Sequence, residues 1–135
     1  MILEQPRWFE CNKLWPIIEG WVRDALSHGG MVFAPEDIRL GLLRNEMKLW
    51  LASDETGPVA CCVTRIEKFP RSTVCAILIL SGDNMAEWFK FLPDIEDWGR
   101  SKGADCAQCV GRKGWTRILA GPGYEPMATI YRKAL

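Results

Sequence analysis

The side chains in this sequence best suited to bind a metal or move electrons are six cysteines and a single histidine, His28. Cys106 and Cys109 form the only C-x-x-C spacing, and a structural zinc site needs a second such pair or histidines at ligand spacing to complete it. His28 lies far from the pair in sequence, so no metal is expected. A thioredoxin-type redox pair opens a helix after a strand, whereas this one sits inside the apolar stretch 104–110. Cys61, Cys62 and Cys75 fall within apolar, strand-like runs and read as small buried hydrophobes. Free thiols are the expectation, because a reducing compartment keeps them so and a chain of this length folds without staples.

The elements that position these groups can be read from periodicity and punctuation. Pro16 suits a first helical turn, and Trp15, Ile18, Val22 and Leu26 recur at helical spacing until Gly29-Gly30. Pro35, followed by Glu36-Asp37 at the positive end of a helix dipole, opens a shorter helix with Ile38, Leu42 and Leu43. Leu49 and Leu51 flank Trp50 before the turn chemistry of Asp54-Glu55-Thr56-Gly57, and a β-branched run resumes over 59–66, which predicts a hairpin. Pro70-Arg71-Ser72 turns the chain into 73–80, the most apolar strand and therefore a central one. Ser81-Gly82-Asp83-Asn84 then breaks the strand, with Asp83 or Asn84 placed to cap a helix carrying Met85, Trp88, Phe89, Leu92, Ile95 and Trp98. Pro93 kinks or splits that helix. Gly103 ends it, 104–110 reads as a strand, a short helix runs through Trp115, Ile118 and Leu119, and 128–132 reads as a last strand. Helix, helix, a three-stranded meander and then helix–strand–helix–strand imply a mixed sheet with helices on its faces, an α/β (α+β mixed) fold in a single domain, 1–135.

Composition narrows the function classes. The 135 residues carry 17 basic and 17 acidic side chains, a formal net charge of zero, which disfavours nucleic acid and anionic membranes as partners. With 48% apolar and 25% charged residues the chain has a globular composition. Its longest apolar run, 74–80, is far short of a bilayer span, and the first ten residues lack a secretory apolar stretch, so a soluble cytoplasmic protein is expected. Seven tryptophans exceed what one core of this size needs. Trp15 and Trp98 lie on helical stripes, whereas Trp8 and Trp21 are candidates for an exposed surface that holds a protein partner or a second copy.

The order of elements, with Arg112-Lys113-Gly114-Trp115-Thr116-Arg117-Ile118-Leu119 running into Gly123-Tyr124-Glu125, resembles the GNAT superfamily of acetyl-CoA-dependent N-acyltransferases. It is most similar to the compact GNAT-like proteins encoded by bacteriophages and prophages. Leu49-Trp50-Leu51 before a turn, Val63-Thr64 in the next strand, and Glu96 and Trp98 before Gly103 extend the likeness over nearly the whole chain. The resemblance implies a mostly antiparallel sheet with helices on both faces and a splayed parallel strand pair in its middle, formed by 73–80 and 104–110. It implies acetyl-CoA in that gap, the acyl carbonyl held by backbone N–H groups near Ile79 and Leu80. The pyrophosphate would lie at Ser81, Gly82, Asp83 and Asn84, where a helix start offers unpaired N–H groups. Arg112 is the further cofactor candidate, near the nucleotide phosphates; Lys113 and Arg117 share its cluster, which also reads as a charged helix face.

Two departures from the family pattern stand out. The family turn reads Gln or Arg, two residues, Gly, one residue, then Gly or Ala; here one glycine survives, and Asp83 brings negative charge toward the expected phosphate. In the last helix, alignment on Gly123-Tyr124 puts Arg112 where the family has Asn, Trp115 at a small position, and Leu119 where a Tyr protonates the leaving thiolate. The catalytic candidates left are Tyr124, which that alignment also makes a core aromatic, and Glu67, a general base if it faces the cleft and a solvated strand-end charge beside Arg65 and Lys68 otherwise. Two readings follow: an N-acetyltransferase for an unknown small-molecule or protein amine, or a catalytically silent GNAT-fold binding or assembly protein of phage origin, in the host cytoplasm or the virion.

Overall fold

The computed structural model describes residues 1–28, 32–83, 88–111 and 114–135. Five strands form one sheet in the order β1-β2-β3-β4-β5: β1 Ile2–Glu4, β2 Lys48–Asp54, β3 Gly57–Lys68, β4 Thr73–Gly82 and β5 Cys106–Cys109. The first four pair antiparallel and β5 joins β4 in parallel. Helices α1 (Cys11–Ser27) and α2 (Pro35–Leu43) cover one face, α3 (Leu92–Ser101) the other, and a short α4 (Trp115–Ala120) follows β5.

The period-2 alternation of the strands divides the core between the two faces. Leu49, Leu51, Cys61, Val63 and Ile79 pack with Ile18 and Val22 of α1 and Ile38 and Leu42 of α2. Trp50, Ala52, Ala60, Cys62, Cys75, Ile77 and Leu80 pack with Trp88 and with Leu92 and Ile95 of α3. The Trp50 indole N–H donates to Thr64 Oγ1 at 3.0 Å, which satisfies the fully buried hydroxyl. Trp98 closes edge-on against Trp50, with ring centroids 5.6 Å apart.

Several boundaries differ from expectation. α1 begins at Cys11 and takes Pro16 into its interior, so the Asn12 carbonyl loses its helical donor; Ile18 and Val22, both fully buried, hold the helix in place. Pro93 opens α3, where a missing N–H costs nothing, after a 3₁₀ turn at Phe89–Phe91. In α2, Pro35 again sits at the start, and the Asp37 carboxylate accepts the Ala34 N–H at 2.8 Å. The three-residue β1 was not anticipated. The strand expected at 128–132 is absent: residues 124–135 have no regular structure, because this segment lies against no ladder that would satisfy its backbone. The parallel pair therefore lies at the edge of the sheet, not in its middle. Trp21 packs against the core under α1, so only Trp8 of the two surface candidates is exposed.

Candidate functional site

The parallel ladder between β4 and β5 is short. Val74 pairs with Cys106 and Ile77 with Cys109, where β5 stops, while β4 continues for five more residues. At that point β4 bulges: Val63 faces Ile79 and the next β3 residue, Thr64, faces Ile77, so Leu78 has no partner on β3. Leu78 and Ile79 consequently turn to the same side, toward α1 and α2, between Ile77 and Leu80, which face α3. Beyond the bulge, β4 residues 79–82 pair with 60–63 on one side and, among the described residues, with no strand on the other. The sequence carried no signal for this: the apolar run offers no polar residue to betray a change of face.

Ile79, Leu80 and Ser81 are buried along this free edge. Gly82 has φ +137°, and a Cβ there would come within 2.4 Å of the Ala60 Cα, so β3 itself demands the glycine. The Asp83 N–H donates to the Val59 carbonyl at 2.9 Å and ties the turn to β3. Asn84 and Arg112 lie outside the described residues.

Glu67 pairs with Val74 at the opposite end of β4, roughly 13 Å along the strand from Leu78 at ~3.3 Å per residue. Its carboxylate accepts from Arg65 at 2.8 Å, and the Arg65 guanidinium lies 5.4 Å from the Phe33 ring centroid. Tyr124 donates its hydroxyl to Glu96 Oε2 at 2.7 Å. Burial first, then this hydrogen bond, raises the phenol well above its ordinary range. Glu96 and Tyr124 are 28 residues apart, and nothing in their local sequence announces the pair. Leu119 is buried against the same region.

A cavity of ≈ 940 Å³ runs along the outer edge of β5, between Cys106–Cys109 and residues 122–130, with Glu96, Tyr124, Trp115 and Leu119 among its walls. It begins beside the end of β5 and does not include residues 79–83. Cys106 is exposed on β5 and Cys109 half-buried, while Cys11, Cys61, Cys62 and Cys75 are buried, all of them as free thiols. Burial pushes the Cys61 thiol up to about 12 and Cys75 to about 11, so both stay protonated near neutral pH. Among the described residues no group of three or more His, Cys, Asp or Glu side chains is placed to hold a metal, and no helix is long and apolar enough to cross a membrane.

This arrangement, a bulged β4 that runs on past the end of a short parallel β5 with helices on both faces, is the fold of the GNAT acetyltransferases. A GCN5-related N-acetyltransferase from Ralstonia eutropha JMP134 is similar over 98% of this chain and 97% of its own, with a TM-score of 0.72 at 12% identity. A predicted acetyltransferase from Clostridium acetobutylicum, solved with acetyl-CoA, covers 98% of this chain and 95% of its own, with a TM-score of 0.71 at 10% identity. An aminoglycoside acetyltransferase from an uncultured soil metagenomic sample, in complex with sisomicin, covers 99% and 95%, with a TM-score of 0.70 at 14% identity. No family model and no curated protein matches the sequence.

Proposed function

We propose that this chain is a GNAT-type N-acetyltransferase that moves an acetyl group from acetyl-CoA to an amine. The observation that carries this reading is the coincidence of the Leu78 bulge with the last β4–β5 pair, which leaves the backbone of 78–82 without a strand partner on one side. Buried backbone polar groups need partners, and a ligand bearing amides in an extended arm supplies them as a neighbouring strand would. Backbone N–H groups near Ile79 and Leu80 would polarise the acyl carbonyl. The turn Ser81-Gly82-Asp83-Asn84, and Arg112 beyond it, would meet the phosphates. When bound, acetyl-CoA supplies an acetyl group already activated as a thioester.

The residues present argue for modest chemistry. Leu119 cannot protonate a leaving thiolate, and the Tyr124 proton is committed to Glu96. A thiol pKa near ~8.5 lets water take over that protonation, at a cost of about 10²–10⁴ in rate. Glu67, held by Arg65, would act as a base only through intervening water. The same observations favour a second reading, a catalytically silent GNAT-fold binding or assembly protein.

Titration with acetyl-CoA, followed by tryptophan fluorescence and melting temperature, tests the proposal. At about 100 times its dissociation constant the ligand adds about 2.7 kcal/mol of stability. No response at millimolar concentration removes the transferase reading. A response with no release of free CoA across a panel of amines selects the silent one.

A further inference from the structure

Lys48 opens β2 directly opposite Thr64 on β3, so both side chains leave the sheet on the face that carries Trp50 and α3. Ile66, two residues further along β3, packs on the same face. From above, α3 brings Trp98 and, one helical turn later at its end, Lys102. These five residues, with Asn45, Glu46 and Arg65, line a hollow of ≈ 180 Å³. It lies toward the start of β4, where Thr64 faces Ile77 and Ile66 faces Cys75, and away from the turn that follows Gly82.

The lining residues leave the two ammonium groups without a counter-charge. Lys48 Nζ donates to the Asn45 amide oxygen at 2.5 Å, a neutral acceptor that the left-handed backbone of Asn45, φ +58°, presents just beyond α2. Lys102 is not drawn to its own helix end. The Trp98 carbonyl takes the Ser101 hydroxyl and the Lys102 N–H, and the Gly99 carbonyl takes the Ala104 N–H. Arg65 is spent, because its Nε and Nη2 both donate to Glu67 and its guanidinium meets Phe33 on the other face of the sheet. Glu46 is the one carboxylate among the lining residues, and it forms no ion pair with either lysine. The fully buried Thr64 hydroxyl accepts from Trp50 and makes no other hydrogen bond among the described residues, so its own proton remains to be donated.

Two ammonium groups and a hydroxyl proton therefore share one hollow with the hydrocarbon of Ile66 and Trp98. A bare inorganic anion matches only the polar half, whereas an anion with an apolar body matches both. The volume equals that of about six waters in the liquid, room for a carboxylate on a ring or short chain and too little for a nucleotide. We propose that this hollow binds a small organic carboxylate, its oxygens shared among Lys48, Lys102 and the Thr64 hydroxyl and its hydrocarbon lying against Ile66 and Trp98. The site is separate from the acetyl-transfer path and does not depend on that reading.

Benzoate is the probe. Two-dimensional ¹H–¹⁵N spectra of the full chain should show saturable shifts at Thr64 and at the Trp98 indole N–H, weakening as salt is raised. Lys48→Met and Lys102→Met keep the length of the stem and remove the charge. Each should raise the benzoate Kd about ten-fold or more, the worth of a hydrogen bond to a charged group, with an unchanged circular dichroism spectrum and melting temperature. Lys68→Met, on β3 outside the hollow, should bind benzoate as the wild type does. The proposal is overturned by the absence of saturable shifts at tens of millimolar benzoate, or by Lys48→Met and Lys102→Met variants that bind as tightly as the wild type. It is equally overturned if inorganic phosphate moves the same resonances at lower concentration than benzoate, since the apolar wall then plays no part.

Discussion

Gly82 and Gly20 should respond to the same substitution with opposite signs. At Gly82 the backbone sits at φ +137°, and an added Cβ would lie 2.4 Å from the Cα and Cβ of Ala60 and 2.6 Å from the Val59 carbonyl oxygen. Ordinary rotamer adjustment offers no escape, because two of those three atoms are backbone. The left-handed conformation costs an L-residue about 1–3 kcal/mol, and forcing β3 and β4 apart costs about 1–3 kcal/mol more. Gly82→Ala should therefore lose about 2–6 kcal/mol out of a total stability of order 5–15 kcal/mol. Gly20 lies on the exposed side of α1 with no atom within 4 Å of a Cβ, so Gly20→Ala should gain about 0.5–1 kcal/mol through helix propensity. Urea unfolding followed by tryptophan fluorescence measures both against the wild type. The reasoning about the β3–β4 approach fails if Gly82→Ala lies within about 1 kcal/mol of wild type, below the smallest strain expected.

Two further outcomes rest on buried groups. Thr64→Val keeps the side-chain shape but strands the Trp50 indole N–H, and should cost about 1–3 kcal/mol, read as a drop of about 3–5 °C per kcal/mol in a thermal melt. Cys61 and Cys75 hold their protons in the folded state up to about 12 and 11, against 9.0 for a free thiol. The unfolded chain then gives up protons that the folded chain keeps, so their contribution to stability is complete below pH 9 and declines as pH rises above it. Under reducing conditions the urea midpoint should fall on going from neutral to strongly alkaline pH, and a Cys61→Ala, Cys75→Ala variant should show a smaller fall. At pH 8 a thiol reagent should modify Cys106 at once and leave Cys61 and Cys62 untouched until the protein unfolds.

Much of the sheet was legible because its strands alternate and its turns are punctuated. Leu49-Trp50-Leu51 and Cys61-Cys62-Val63 each divide between two faces as a period of two demands, and Pro35 and Pro93 stand at helix starts. Pro16 misled because proline at a first turn is only a preference; burial of Ile18 and Val22 outweighs one missing hydrogen bond. The strand expected at 128–132 did not form, because a strand exists only when another lies beside it, and partners are not written in local sequence. The candidate site was less legible for the same reason. The bulge belongs to the register between β3 and β4, and the partners of Glu67 and Tyr124, Arg65 and Glu96, emerge only once the chain is folded.

The unpaired residue Leu78 also constrains how this gene can drift. Before it, odd-numbered β4 side chains such as Cys75 and Ile77 look toward α3; after it, an even-numbered one, Leu80, does. Gaining or losing a single codon on either side would exchange inside for outside over half the strand. Mutation can respell this segment, but its length is effectively frozen.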